Sequence, residues 1–267
     1  MFTAFVDIWY YFMKIQITTM DESYFKALTS VRDRGNYREV FVDTLSKIRT
    51  DVKLGGVRSC VALGSGDGWY EIEFIKKCTA NISKFIGIEP DHVSAEHLRT
   101  SLRSSLPGVE SQAFEIDVQH WSGPGIPVDL ITMFNVLYYV PAGERLEFLK
   151  KVHDSWLVSG GCVAVVTASR TKSSGDTHII PELLGSPLPK WEDIATDFQK
   201  AGFSKQYAQE MHAWDDFTNP DENLLHICQS VIKRPITLAD LRDAMKGPLS
   251  EGKADEFNVM AIFKSTS

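Results

Sequence analysis

The chain has few cysteines, no surplus of basic charge and no long apolar run, and each shortfall removes a class of function. Only four of its 267 residues are cysteine. Cys60, Cys78, Cys162 and Cys228 lie far apart, without a C-x-x-C pair or a histidine at ligand spacing, so neither a zinc site nor a disulfide framework is expected. Such thiols read as reduced, mostly buried side chains of a cytoplasmic protein. The seven histidines are equally scattered, and no metal is expected. Lys and Arg number 28 against 35 Asp and Glu, a formal net charge of -7 with no single-sign block, which argues against nucleic acid as a partner. The most apolar stretch, MFTAFVDIWYYFMKIQITTM, is too short to span a bilayer and is broken by Asp7. It also lacks the basic leader of a signal peptide. No membrane association is expected.

What is present is an ordinary globular composition, 43% hydrophobic and 24% charged, in a chain long enough for one large domain. Met20 directly precedes the polar segment DESYFKALTSVRDRGNY. Residues 1–19 therefore read as an N-terminal extension, or as an amphipathic surface helix, ahead of a single domain over 20–267. From about residue 57, short apolar runs alternate with helical patterns, the sequence form of a mostly parallel sheet with helices on both faces. The runs are RSCVALG (58–64), KFIGIE (84–89), SQAFEI (111–116), VDLITMF (128–134), GCVAVVT (161–167), KQYAQ (205–209) and FNVMAIFK (257–264), seven in all. Between them lie the helical patterns YEIEFIKKCT, HVSAEHLRTSL, GERLEFLKKVHDSW and WEDIATDFQKAGF. Gly160 and Gly161 are expected to stop the third of these. Segments 20–56 and 210–250 fall outside the alternation and are expected to cover the pocket at one edge of the sheet.

The most informative local feature is LGSGDGW, where Gly64, Gly66 and Gly68 follow a predicted strand and lead into a predicted helix. Glycine serves there because a sharp strand-to-helix turn needs unusual backbone angles, and a ligand lying on the backbone leaves no room for a Cβ. A plain tight turn would look the same. The following strand, however, ends in Glu89 and Pro90, and an acid about 20 residues on accepts hydrogen bonds from ribose hydroxyls in dinucleotide-type folds. The nicotinamide fingerprint G-x-G-x-x-G needs glycine at 69, where Trp69 stands and its indole is expected to crowd a pyrophosphate. No G-x-x-x-x-G-K-[ST] loop exists.

The G-x-G-x-G loop followed by an acid resembles the S-adenosylmethionine loop of class I methyltransferases. The match sharpens with VALGSGDG, IEP (88–90), MFNVLYYV (133–140), DRGNY (33–37) and FNVMAIF, which resemble segments of histamine N-methyltransferase and its relatives from about Asp21 to Phe263. This resemblance implies an α/β, Rossmann-like class I methyltransferase fold with a small substrate-covering subdomain. It implies cofactor contacts from Gly64, Ser65, Gly66, Glu89, Pro90, Ser94, Asp117, Val118 and Phe134. It also implies substrate contacts from Tyr37, Asn135, Tyr138, Tyr139 and Asn258, with no dedicated catalytic residue. The family's pocket glutamate aligns with Thr50, next to Asp51, and its tryptophans after the fifth strand have no counterpart in ASRTKSSGDTHI.

The implied activity is S-adenosylmethionine-dependent N-methyl transfer to a small amine or imidazole, by a monomer. Two alternatives stand beside it: a protein that binds S-adenosylmethionine without transferring the methyl, and an NAD(P)-dependent oxidoreductase.

Overall fold

A computed structural model describes residues 22–169, 184–185, 188–218, 220–232, 235–246 and 252–266; the expected extension over 1–19 lies outside them. Two helices come first, α1 (Glu22–Arg32) and α2 (Tyr37–Asp51). Then follow β1 (Ser59–Leu63), α3 (Trp69–Cys78), β2 (Lys84–Glu89), α4 (His92–Ser105), β3 (Glu110–Glu115) and β4 (Val128–Phe134). A 3-10 turn (Leu137–Tyr139), α5 (Ala142–Lys151), a π-helical turn (Val152–Trp156) and β5 (Leu157–Ala168) complete the next unit. The C-terminal part holds α6 (Trp191–Lys200), β6 (Phe203–Asp216), α7 (Glu222–Ile232), α8 (Leu238–Met245) and β7 (Lys253–Ser265).

All seven strands form one sheet in the order β3-β2-β1-β4-β5-β7-β6. The first five pair in parallel, whereas β7 is antiparallel to both of its neighbours. The central strands are apolar on both sides because both faces are covered. Cys60 and Ala62 of β1 face a core with Phe41, Leu45, Phe74 and Leu98, while Val61 and Leu63 face Leu149, Trp156, Ile194 and Phe198. Strand order reverses between β1 and β4, and open α/β sheets bind ligands beyond the carboxyl ends of their strands at such a point.

Three expectations change. Gly160 and Gly161 do not end a helix: the helix closes at Trp156 through the π-helical turn, and both glycines lie within β5. Pairing there slips from Val128↔Leu157 to Leu130↔Cys162, and Gly160 takes φ 75° in the irregularity. The short run 205–209 is part of a 14-residue strand, because β6 pairs with β7 as far as Asp216↔Lys253. Residues 210–216 are therefore edge strand. The rest of the two outlying segments does meet: α1 packs on α7, with Asn223 Nδ2 donating to Ser30 Oγ at 3.2 Å and Arg34 paired with Asp221 at 2.5 Å.

Candidate active site

The turn after β1 is built as its glycines suggest. Gly64, Gly66 and Gly68 take φ of 64°, 54° and 80°, the left-handed region that costs any other residue. A Cβ on Gly64 would lie 2.6 Å from Val136 Cγ2, so the turns after β1 and β4 are in close contact. Gly66 instead faces open space, with only Arg32 Nη1 near, at 3.9 Å from such a Cβ. Its N–H donates to Glu89 Oε2 at 2.7 Å, and the Asp91 N–H donates to Glu89 Oε1 at 3.0 Å. Glu89 is buried, and burial pushes its carboxyl up to about 7 against the pull of these two N–H groups.

Asp91 caps α4 through Ser94 N–H at 2.7 Å. Asp91 Oδ1 and Ser94 Oγ are buried beside Glu89 and hold no hydrogen-bond partner. Asp117 and Val118 follow β3, where Asp117 closes its own turn by accepting the Gln119 N–H at 2.7 Å and Val118 packs with the Ile86, Ile88 and Leu137 cluster. Phe134 stacks edge-on against Phe41 and Phe74, both at 5.6 Å, as a wall of the core.

Just beyond β4, Asn135 takes φ 55°, strained for a non-glycine residue though Asn bears it best. Its amide donates to Tyr37 Oη at 3.2 Å, joining residues 98 positions apart. Tyr138 and Tyr139 lie in the 3-10 turn with rings 4.6 Å apart, and Tyr139 hydrogen-bonds Tyr24 of α1. Burial pushes the phenols of Tyr37, Tyr138 and Tyr24 well up, so at neutral pH they stay protonated. Asn258 is buried on β7 and donates to Glu256 Oε1 at 2.7 Å. Thr50 is exposed near the last turn of α2, about 20 Å from Tyr37 at 1.5 Å per residue, and does not face the site.

The Trp69 indole lies against Arg38 at 5.1 Å, Tyr70 at 4.8 Å and Phe41 at 6.2 Å. The antiparallel β7 between β5 and β6 is what sets this sheet apart from the 3-2-1-4-5-6 dinucleotide order. Sequence reasoning missed Arg32. Its guanidinium sits 4.8 Å over the Tyr70 ring and 3.6 Å from Asp67, so α1 reaches the turn after β1. The only local signal was its place beside DRGNY. The segment after β5 that lacks the family's tryptophans lies, from residue 170, outside the described residues. Among the described residues no group of three or more His, Cys, Asp or Glu is placed to hold a metal, and no helix is long and apolar enough to cross a membrane.

Glu71, in the first turn of α3, was missed too. It is buried with Oε2 unpartnered, and burial pushes its carboxyl up to about 8. The folded state thus binds more protons than the unfolded chain between about pH 4.5 and 8, so stability falls as pH rises through that window. We expect Glu71 to contribute a drop in unfolding free energy on the order of 3 kcal/mol from pH 5 to 8, at 1.36 kcal/mol per pKa unit, beside a smaller drop from Glu89, whose carboxyl is pushed up to about 7. Glu71→Gln should remove about half of the combined slope in urea unfolding series; an equally steep Glu71→Gln profile would show that Glu71 is not a source of it.

No family model matches the sequence, and no curated protein matches it significantly. Solved structures do match. A methyltransferase candidate from Bacillus halodurans C-125 is 11% identical, with TM-score 0.61 over 84% of this chain and 100% of that one. The N-methyltransferase NodS of Bradyrhizobium japonicum WM9, in complex with S-adenosyl-L-homocysteine, is 11% identical, with TM-score 0.57 over 92% and 100%. The (4+2)-cyclase SpnF is 13% identical, with TM-score 0.55 over 84% and 80%. The chain therefore has the α/β, Rossmann-like fold of these methyltransferase structures, a fold that in SpnF serves a cyclase.

Proposed function

We propose that the chain is an S-adenosylmethionine-dependent N-methyltransferase for a small amine or imidazole-containing molecule, similar to histamine N-methyltransferase. The observation that carries this reading is the clasp at the sheet's switch point, where Glu89 accepts the Gly66 N–H at 2.7 Å. Each Glu89 oxygen takes one backbone N–H, which leaves lone pairs for a ribose diol. The unpartnered Ser94 Oγ and Asp91 Oδ1 beside it add polar capacity, so the residues fit the cofactor. Gly64, Ser65, Gly66, Glu89, Pro90 and Ser94 would hold the adenosyl part, with Asp117, Val118 and Phe134 closing its walls. We assign Tyr37, Asn135, Tyr138, Tyr139 and Asn258 to the acceptor side, and α1, α7 and α8 to its cover.

The bound cofactor would supply a methyl group made electrophilic by a sulfonium. The protein's task is then alignment, and well-oriented groups reach effective molarities of about 10⁵–10⁸ M, roughly 7–11 kcal/mol of barrier. The buried phenols stay protonated and donate rather than act as bases. An acceptor must therefore arrive with a free lone pair. An alkylamine of pKa about 10.4 would spend roughly 4.6 kcal/mol at pH 7 to provide one, whereas an imidazole of pKa about 6.5 is already mostly neutral. Aromatic faces and the Asn135 and Asn258 amides suit such a ring.

Calorimetric titration with S-adenosylhomocysteine, followed by tritiated methyl transfer across an amine and imidazole panel, tests the reading. We expect binding, and transfer to at least one imidazole or amine. Binding without transfer to any acceptor would replace it by a non-catalytic binder.

A further inference from the structure

Arg32, at the end of α1, is a cation with little to hold it. Its side chain is only 22% exposed. Asp67 stands at 3.6 Å, beyond hydrogen-bond distance, and the same Asp67 Oδ1 already accepts the Trp69 N–H at 3.2 Å in the first turn of α3. Among the described residues the Arg32 guanidinium donates no hydrogen bond, and it otherwise rests on the face of Tyr70 at 4.8 Å. A fork of five donors taken largely out of water without an acceptor is costly, and an anion gripped by two of its N–H groups offsets that cost.

The fork also borders the glycine turn. Chain neighbours apart, a Cβ on Gly66 would meet among the described residues only Arg32 Nη1 within 4 Å, at 3.9 Å. The guanidinium therefore lines the open side of the residue whose N–H is held by Glu89. It is carried there on an anchored helix. Arg34 pairs with Asp221 at 2.5 Å, Ser30 Oγ accepts from Asn223 Nδ2 at 3.2 Å, and Phe25 stacks on His97 of α4 at 4.1 Å. A cation oriented in advance loses little freedom when it binds. Its surroundings also select the anion. With Asp67 on the same turn, a doubly charged phosphate would meet like charge, whereas a single carboxylate matches a single guanidinium. S-adenosylmethionine carries one anionic group, the α-carboxylate of its amino-acid end, beyond the sulfonium from the ribose.

We propose that Arg32 receives this α-carboxylate and makes the site selective for adenosyl ligands with an intact amino-acid end. The inference deepens the methyltransferase reading above and rests on it. Arg32 takes no part in the transfer. With the ribose on Glu89 and the carboxylate on Arg32, the sulfur between them is fixed from both ends, which is the alignment that methyl transfer needs.

The test is calorimetry on the full chain with S-adenosylhomocysteine and with S-adenosyl-3-thiopropylamine, which differs from it by loss of the carboxylate alone. The wild type should bind S-adenosylhomocysteine about 10- to 150-fold tighter, the range for a hydrogen bond to a charged group. Arg32→Gln should erase that preference by weakening S-adenosylhomocysteine while leaving the thiopropylamine no weaker, and Arg32→Lys should restore part of it. Thermal melts of each variant verify folding, and the wild-type comparison stands without any variant. A purely structural role for Arg32 in seating α1 would weaken both ligands alike and leave their ratio unchanged. That result, or a wild type without preference, would overturn the assignment while leaving cofactor binding intact. Failure of both ligands to bind the wild type would instead remove the methyltransferase reading, and this inference with it.

Discussion

Gly64→Ala should cost the fold about 2–5 kcal/mol and weaken S-adenosylhomocysteine binding at least tenfold, although it adds a single methyl. Two costs combine. At φ 64° any Cβ meets its own backbone, at about 1–2 kcal/mol. The methyl would also lie 2.6 Å from Val136 Cγ2 and 3.1 Å from Val136 Cβ. Val136 is buried and β-branched, so it has no cheap rotamer to retreat into, and overpacking of this kind costs about 1–3 kcal/mol. Relief requires the turns after β1 and β4 to part, which displaces Asn135 and the glycine turn from one another. Val136→Ala in the Gly64→Ala background should recover the packing share but not the backbone share. Urea unfolding of the wild type and both variants measures this, and a double variant no more stable than Gly64→Ala would show that Val136 is not the obstacle.

Glu89→Ala should weaken S-adenosylhomocysteine by roughly 1.5–3 kcal/mol, the range for hydrogen bonds to a charged group. It should also make the affinity indifferent to pH. In the free protein the Glu89 carboxyl is pushed up to about 7 by burial. Ribose hydroxyls donating to it favour the ionised form, so binding expels a proton whenever Glu89 starts protonated. With about a tenth of the protein ionised at pH 6 and most of it at pH 8, the affinity should rise about tenfold between them. The same titration on Glu89→Gln should be flat. A wild-type affinity that falls or stays level over that range would place the ribose elsewhere.

The turn and clasp assigned to the cofactor were legible because their signal is local. Three glycines in five residues and an acid at the end of the next strand state a turn and a clasp without knowledge of the rest of the chain. The structure adds their contact, Gly66 to Glu89, and the reason for Gly64 in Val136. The residues assigned to the acceptor were marked out only through resemblance, since Tyr37 meets Asn135 across 98 residues. The pairing of β6 with β7 explains why 205–209 was read too short: β6 is an edge strand whose exposed positions dilute the apolar alternation. Arg32 escaped for a different reason, because a helix-end arginine reads as a dipole partner until the fold sets it over Tyr70.

A crystal structure of the full chain with S-adenosylhomocysteine addresses the central claim most directly. It should place both ribose hydroxyls about 2.5–3.0 Å from the Glu89 carboxylate, with the thioether over the turn at residues 64–68 and facing Tyr37 and Asn135. An adenosyl group bound away from that turn, or a Glu89 that touches only the Gly66 and Asp91 N–H groups, would contradict it.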